Sequence, residues 1–385
     1  MKLVYIAPHC SVPPKDGADR RAWHLFEGLT EMGIRGDFIG RTTVVTNGSI
    51  PVSHTLGASW RNHKMLAALV ALTGGQDYWT LKMIQPGVRQ ALARAVLTPF
   101  DTVIVNFLYA LPLLKQVPKP FRLVVDTHNY DPAVYSKLAA NTRNPGLRVL
   151  CQRAVANSEH ALRNLPVGTV LIHVSDRDAE LYQQHRPDLK HLVVENGTAI
   201  KPRKRAPDYQ KCNKRVMLFV GSLSAKMNQD ALLHFAKFFW PRLREYGEFR
   251  VVGSFPTNRV RALCVQEGWI LQENVSDENL DRLYNEAHFS VLPFAYGEGS
   301  KLKLFEACGH GVPVLSTHAG AVGVPNLPPL VAVSNEVDAW LAQISTTRSL
   351  SESAVAQTLA FAKEYSWAKL AGKFVGGIEQ ARIIV

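Results

Sequence analysis

Apolar residues along the chain fall into short unbroken runs rather than alternating ones. LVYIA (3–7), TVIVNF (102–107), RLVVDTH (122–128), HLVVENG (191–197), VMLFVGS (216–222), FRVVGSF (249–255) and SVLPF (290–294) are of this kind. Such runs fit strands buried on both faces of a parallel sheet. Between them apolar residues recur at helical spacing: Trp23, Leu25, Phe26 and Leu29, then MLAALVAL (65–72) and VRQALARAV (88–96), then the stretch after Ser222. A further strand is expected near Asp37 to Ile39. Strand and helix signals alternate, which predicts an α/β protein. At 385 residues the chain is long enough for two domains, each with its own core. AIKPRKRAPDYQKCNKR (199–215) is polar, basic and proline-containing, and reads as the connection between them.

One βαβ unit concentrates candidate chemistry. Residues 291–317, VLPFAYGEGSKLKLFEACGHGVPVLST, read as a strand, a turn bearing Gly297 and Gly299, a helix from Ser300 to Cys308, and a second strand from Val312 to Ser316. The turn opens a helix N-terminus, where unpaired N–H groups and the helix dipole attract an anion such as phosphate. Lys301 and Lys303 place cations where a helix by itself prefers acids, which points to an anionic ligand. Glu298 and Glu306 stand eight residues apart, so their carboxylates lie on roughly the same side of the helix. One suits sugar hydroxyls and the other a ribose diol. A second anion-binding turn is expected at Gly221-Ser222, although neither GxGxxG nor GxxxxGK[ST] occurs.

GEGSKLKLFEACGHGVPVLST resembles the donor-site signature of the retaining GT-B glycosyltransferases of family 4, the glycosyl transferases group 1. That signature has a Glu-x7-Glu pair followed by a Gly-x-Pro-Val strand, matched here by Glu298, Glu306, Gly311, Pro313 and Val314. The resemblance implies two Rossmann-like domains with parallel sheets facing a central cleft. The expected domains are 1–200, with a closing helix at 368–385 crossing back to it, and 201–367. Relatives of this kind carry an Arg after the first glycine of the second domain and a Lys five or six places on, both clamping a diphosphate. Here those places hold Ser222 and Met227 or Asn228, so Lys226 and Lys301 are the expected substitutes. The loop PPKDGADRR (13–21) matches the position of a glycine-rich loop, with Gly17 allowing close backbone approach and Arg20 or Arg21 able to meet a phosphate.

His128 is singled out among thirteen histidines because it follows a strand-type run and sits with Asp126, Asn129 and Asp131. Pairing with a carboxylate would fix its tautomer or raise its pKa. Its position also resembles the family's catalytic-centre histidine. Asp176-Arg177-Asp178 mimics a metal-binding DxD, but Ser175 precedes it and a helix-type run follows, so it reads as a cap and an acidic first turn.

Composition narrows the partners. Lys plus Arg total 44 against 32 Asp plus Glu, a net +12 that favours phosphates or anionic surfaces. The basic segment 199–215 has a single aromatic, Tyr209, which argues against a nucleic-acid arm. Trp60, Arg61, Lys64, Tyr78, Trp79 and Lys82 lie among the helical runs of 57–98, a pattern compatible with an anionic membrane surface as well as with ordinary packing. No apolar run is long enough to span a bilayer, and the five cysteines show no CxxC spacing, so a cytoplasmic location is expected, with peripheral contact at the inner membrane face.

The expected activity is a metal-independent retaining glycosyltransferase using a nucleotide-diphosphate sugar and an acceptor hydroxyl of a glycan, lipid-linked or other molecule, in cell-envelope glycan or glycoconjugate synthesis. Expected roles are His128, Glu298, Lys226 and Lys301 in catalysis, and Gly221, Ser222, Gly299, Ser300, Lys303, Glu306 and Gly17 in donor binding. No metal and no separate cofactor is expected. The alternatives are a sugar-nucleotide epimerase or phosphorylase of the same fold, or a non-catalytic carbohydrate- or anion-binding protein.

Overall fold

The strand-type runs assemble into two separate sheets. The computed structural model describes residues 2–14, 16–41, 44–46, 60–74, 77–204, 206–210, 214–296 and 302–384. The chain divides into a unit of Met1–Glu195 with Leu370–Val385 and a unit of Asn196–Lys369. In the first, the strands are β1 (Lys2–Ile6), β2 (Arg35–Ile39), β3 (Val44–Thr46), β4 (Thr102–Asn106), β5 (Phe121–Asp126), β6 (Val170–His173) and β7 (Lys190–Val193). In the second they are β8 (Arg215–Val220), β9 (Gly247–Gly253), β10 (Ile270–Glu273), β11 (Phe289–Leu292), β12 (Val314–Ser316) and β13 (Val331–Val333), and the chain returns to the first unit to form β14 (Ile383–Ile384).

The first sheet runs β3-β2-β1-β4-β5-β6-β7, and the second β10-β9-β8-β11-β12-β13. All pairings are parallel except β2 with β3 and β14 with β5. Each sheet therefore has one point where the strand order reverses, between β1 and β4 and between β8 and β11. In open α/β sheets ligands bind outside the carboxyl ends of the strands at that point.

Sequence dictates the burial. Leu3, Val4, Tyr5 and Ile6 of β1 are fully buried, as are Val103 to Val105 of β4. On the helix Gly17–Glu31, Ala22, Leu25, Phe26 and Leu29 face inward. The helix Trp367–Gln380 buries Leu370, Ala371, Phe374 and Ile378, and a Cβ at Gly377 would come within 3.0 Å of Leu192 and 3.1 Å of Ile172. Phe235, Phe239, Trp240, Phe249, Trp269 and Trp340 knit the second core. Each such side chain stabilises its unit by about 1.5–3 kcal/mol through burial.

Residues 60–95 form three helices, Trp60–Gly74, Tyr78–Met83 and Pro86–Ala95. On the first of these Leu66 and Leu69 stand 59% exposed. Among the described residues no helix is long and apolar enough to cross a membrane.

Candidate functional site

The turn after β8 is built by contacts between backbones. A Cβ at Gly253, the last residue of β9, would lie 1.8 Å from the Gly221 carbonyl oxygen, and one at Gly221 would lie 2.8 Å from Asn228 Nδ2. Only glycine fits at 253, and a side chain at 221 would displace the Asn228 amide. The Gly221 N–H donates to the Val252 carbonyl (3.0 Å), and Asn228 Nδ2 donates to the Ser222 carbonyl (2.9 Å), which ties the turn to the helix Lys226–Phe238. Asn228 Oδ1 in turn accepts from Lys303 Nζ at 3.2 Å. Lys303 Nζ also lies 4.9 Å from the Phe294 ring centroid and 5.8 Å from that of Phe219, so aromatic faces and an amide hold the ammonium beside the Gly221-Ser222 turn.

Lys226 is placed differently. Its side chain is 72% exposed and pairs with Asp230 one helical turn on, where the Tyr296 hydroxyl also donates. Burial pushes the Asp230 carboxyl up, but its bonds from Lys226 and Tyr296 more than offset this and hold it below the usual range. Lys303, not Lys226, is the lysine fastened at the turn.

Glu306 lies on the helix Leu302–Gly309 and accepts from the Tyr284 hydroxyl at 3.3 Å. Tyr284 stacks on His310 with centroids 4.4 Å apart. His310 Nδ1 donates to the Glu306 carbonyl (2.8 Å), while its Nε2 lies 3.2 Å from Asp281 Oδ1 and Lys201 Nζ reaches Asp281 Oδ2 at 2.8 Å. The helix end and its carboxylate are thereby braced from behind. The expectations placed on Glu298, Gly299, Ser300 and Lys301 fall outside the described residues.

In the first unit, the carboxyl ends of β1, β4 and β5 gather a buried polar group. Arg21 is fully buried and grips Asp126 through Nε (3.1 and 3.0 Å) and a second nitrogen (2.7 Å), while its remaining nitrogen donates to the Glu195 carbonyl at 2.9 Å. Asn106 Nδ2 adds a bond to Asp126 Oδ2 at 3.1 Å. Burial alone would push the Asp126 carboxyl up; Arg21 and His128 overcome it and hold the group ionised far below the usual carboxylate range. Arg21, expected as a phosphate ligand, is therefore committed to a structural ion pair. It lies within the helix Gly17–Glu31, which begins at Gly17 and is capped by Asp16 accepting from the Asp19 N–H.

His128 Nε2 lies 3.5 Å from Asp126 Oδ2, and its ring stacks on Phe107 with centroids 4.3 Å apart. Pairing with the carboxylate pushes its pKa up, as expected, but burial outweighs the pairing. Burial lowers it, and Asp126 only partly offsets that, so the imidazole is held neutral at pH 7. His9, after β1, meets the His128 and Phe107 rings edge-on at 5.6 and 5.0 Å, and burial with the neighbouring His128 lowers its pKa to about 3. The Asp176 to Asp178 segment is a helix start: Ser175 accepts from the Asp178 N–H, and Asp178 Oδ1 accepts from the Tyr130 N–H.

Sequence reasoning passed over Asn228, Gly253, Tyr284 and His9. Met227 or Asn228 stands out in the sequence only as a missing cation, and the other three are brought to their neighbours by the fold, which no local motif encodes.

Residues 214–350 match the family model described as Glycosyl transferases group 1. No curated protein sequence matches the chain. Among solved structures the chain is similar to the trehalose-6-phosphate synthase OtsA, at 12% identity and a TM-score of 0.64, with 100% of both chains covered. It is also similar to WaaG, a glycosyltransferase involved in lipopolysaccharide biosynthesis, at 17% identity and a TM-score of 0.64 over 98% of this chain and 99% of that one. An α,α-trehalose 6-phosphate synthase from Burkholderia multivorans follows at 12% identity and 0.62, over 98% of each chain. The two α/β units thus have the GT-B fold of these glycosyltransferases.

Proposed function

We propose that the chain is a retaining glycosyltransferase that moves a sugar from a nucleotide-diphosphate donor to an acceptor hydroxyl. The observation that carries the reading is the group 1 match over 214–350, the segment in which Lys303 is fastened beside the Gly221-Ser222 turn and Glu306 is braced by Tyr284. Cleavage of the anomeric carbon–oxygen bond leaves negative charge on the diphosphate. Prearranged cations and N–H groups stabilise that charge without reorganising. Lys303, Lys301 and the two turns supply them, and Lys226 contributes only by leaving Asp230. Glu306 accepts the ribose hydroxyls, Glu298 and neutral His128 meet sugar hydroxyls, and Gly17 lets backbone approach a ligand. Attack on the face the diphosphate leaves, with its oxygen taking the acceptor proton, gives retention without a carboxylate nucleophile or a metal.

Neighbouring structures include an E. coli trehalose-6-phosphate protein with UDP-2-fluoro glucose and a Burkholderia xenovorans synthase with glucose-6-phosphate. These support a nucleotide-sugar donor here. The exposed Leu66 and Leu69 and the net charge of +12 support a glycan acceptor met at an anionic membrane surface on the cytoplasmic side. One observation favours a non-catalytic binder: Ser222 and Met227 or Asn228 stand where the resemblance places the Arg and Lys of a diphosphate clamp. Incubation with labelled UDP-, GDP-, dTDP-, ADP- and CDP-sugars and a membrane-lipid extract decides. A glycosylated product lost in Glu306→Ala supports transfer, an epimerised donor formed without acceptor supports the epimerase, and donor binding with no turnover supports the binder.

A further inference from the structure

Two stacked rings in the second unit hold the same residue from two sides. The Tyr284 and His310 rings lie 4.4 Å apart at 18°, and both residues are buried. The Tyr284 hydroxyl donates to the Glu306 carboxylate at Oε2 (3.3 Å), and His310 Nδ1 donates to the Glu306 carbonyl (2.8 Å). Glu306 stands in the last turn of the helix Leu302–Gly309, the part of a helix that frays most readily because its carbonyls run out of intrahelical partners. Fraying there would blur the position of the carboxylate. His310 is fixed in its turn. Its Nε2 lies 3.2 Å from Asp281 Oδ1, Lys201 Nζ reaches Asp281 Oδ2 at 2.8 Å, and the Lys201 and Arg203 N–H groups donate to the Gly309 and His310 carbonyls at 3.1 and 3.3 Å. A Cβ at Gly309 would lie 2.6 Å from the Ala199 carbonyl oxygen, so the connecting segment lies directly on the helix end. Core packing accounts for the ring of Tyr284 but not for its hydroxyl, which is aimed at a carboxylate.

We propose that Tyr284 is a positioning residue for Glu306, with His310, Asp281 and Lys201 behind it, and that the fixed carboxylate selects a ribonucleotide donor over a 2′-deoxyribonucleotide one. A glutamate side chain turns about three torsions, and one held in place beforehand has no such freedom left to lose when a ligand arrives. Each carboxylate oxygen accepts more than one hydrogen bond, so Oε2 holds the Tyr284 hydroxyl and still meets a ligand. The two oxygens of one oriented carboxylate match two adjacent hydroxyls. A sugar without the 2′-hydroxyl leaves one of those acceptors unmatched, and sites built on a hydroxyl reject the analogue that lacks it. The ribose partner of Glu306 rests on the donor site proposed above, but the test needs no acceptor and no turnover.

Titration calorimetry on the full chain measures Kd for UDP, GDP, ADP and CDP, each against its 2′-deoxy counterpart, and for dTDP. The chains are wild type, Tyr284→Phe, Asp281→Asn, Glu306→Ala, and Tyr284→Phe combined with Glu306→Ala. The wild type is expected to bind one ribonucleotide at least about tenfold more tightly than its 2′-deoxy counterpart. Tyr284→Phe keeps the ring and its stack on His310. It is expected to weaken the ribonucleotide about fivefold and leave the deoxynucleotide nearly unchanged, which narrows the preference. Asp281→Asn, at a half-buried position, should narrow it in the same direction. In Glu306→Ala the preference should vanish, and adding Tyr284→Phe should cost nothing more. Equal weakening of both nucleotides in Tyr284→Phe, a preference unchanged in both Tyr284→Phe and Asp281→Asn, a further loss in the Glu306→Ala background, or tightest binding of a 2′-deoxynucleotide overturns the proposal. Ribonucleotide binding that ignores Tyr284 and Asp281 keeps the donor site and loses the brace. A chain with the expected pattern that transfers no sugar keeps the brace and loses the transferase reading, and one that binds no nucleoside diphosphate loses both.

Discussion

Arg21 and Asp126 neutralise each other in the interior of the first unit. A guanidinium after a glycine-bearing loop suggests phosphate, but this one is fully buried on a carboxylate that is fully buried too. Removing one partner leaves the other charge unmatched, so Asp126→Ala is expected to lower stability by about 3–5 kcal/mol in urea unfolding. The histidines set the pH response. His9 and His173 are held neutral by burial to about pH 3, and His288 to about 4, whereas unfolded histidine protonates near 6.5. Between those values the unfolded chain binds more protons, so these groups make stability fall as pH drops from about 7 to 4. Asp131 works the other way. Burial raises its pKa to about 7, so the folded chain keeps a proton that the unfolded chain loses near 4, and its contribution improves on acidification. The melting temperature should therefore fall from pH 7 to 5, less steeply in His9→Phe and more steeply in Asp131→Asn. The reverse order of slopes would contradict these assignments.

At the scale of elements, the turn after β8 depends on the end of β9. Gly253→Ala forces a Cβ onto the Gly221 carbonyl and is expected to cost more than about 2 kcal/mol in denaturant melts and to weaken diphosphate binding with it. Ser175→Ala should cost about 1 kcal/mol, the worth of a cap, with no change in response to added divalent cations. Much at this scale was legible. β1, β4, β5, β8 and β9 fall on the unbroken apolar runs because a strand covered on both faces needs them. The helix Leu302–Gly309 follows from its spacing and from the glycine that ends it, Gly311 having φ +66°. Less legible were β3 and β14, too short to carry a pattern and placed by their neighbours. Nothing in Asn106-Phe107-Leu108 announces the positive φ of Phe107 (+65°), since no glycine stands there. The Lys226–Asp230 pair, by contrast, was open to view as an i, i+4 couple.

At the scale of the molecule, each unit has its own sheet, its own aromatic or aliphatic core and its own reversal point. The returning helix Trp367–Gln380 belongs to the first core, where Phe374 is fully buried and 6.5 Å from the Tyr5 ring. Phe374→Ala should cost about 3–5 kcal/mol and show as faster hydrogen exchange in β1 to β7, with β8 to β13 keeping their protection. The donor site proposed for the second unit, 196–369, has Glu306 on the ribose of a nucleotide diphosphate and Lys303 on its phosphates. The most direct measurement is thermal unfolding with UDP, GDP, dTDP, ADP and CDP, without added metal, for wild type and Glu306→Ala. A ligand that binds only the folded chain stabilises it by about 2.7 kcal/mol at a hundredfold excess over Kd. If that site binds as proposed, the melting temperature rises clearly with one diphosphate and the rise is largely lost in Glu306→Ala. No rise with any of the five at millimolar concentration, or an equal rise in the variant, would contradict it.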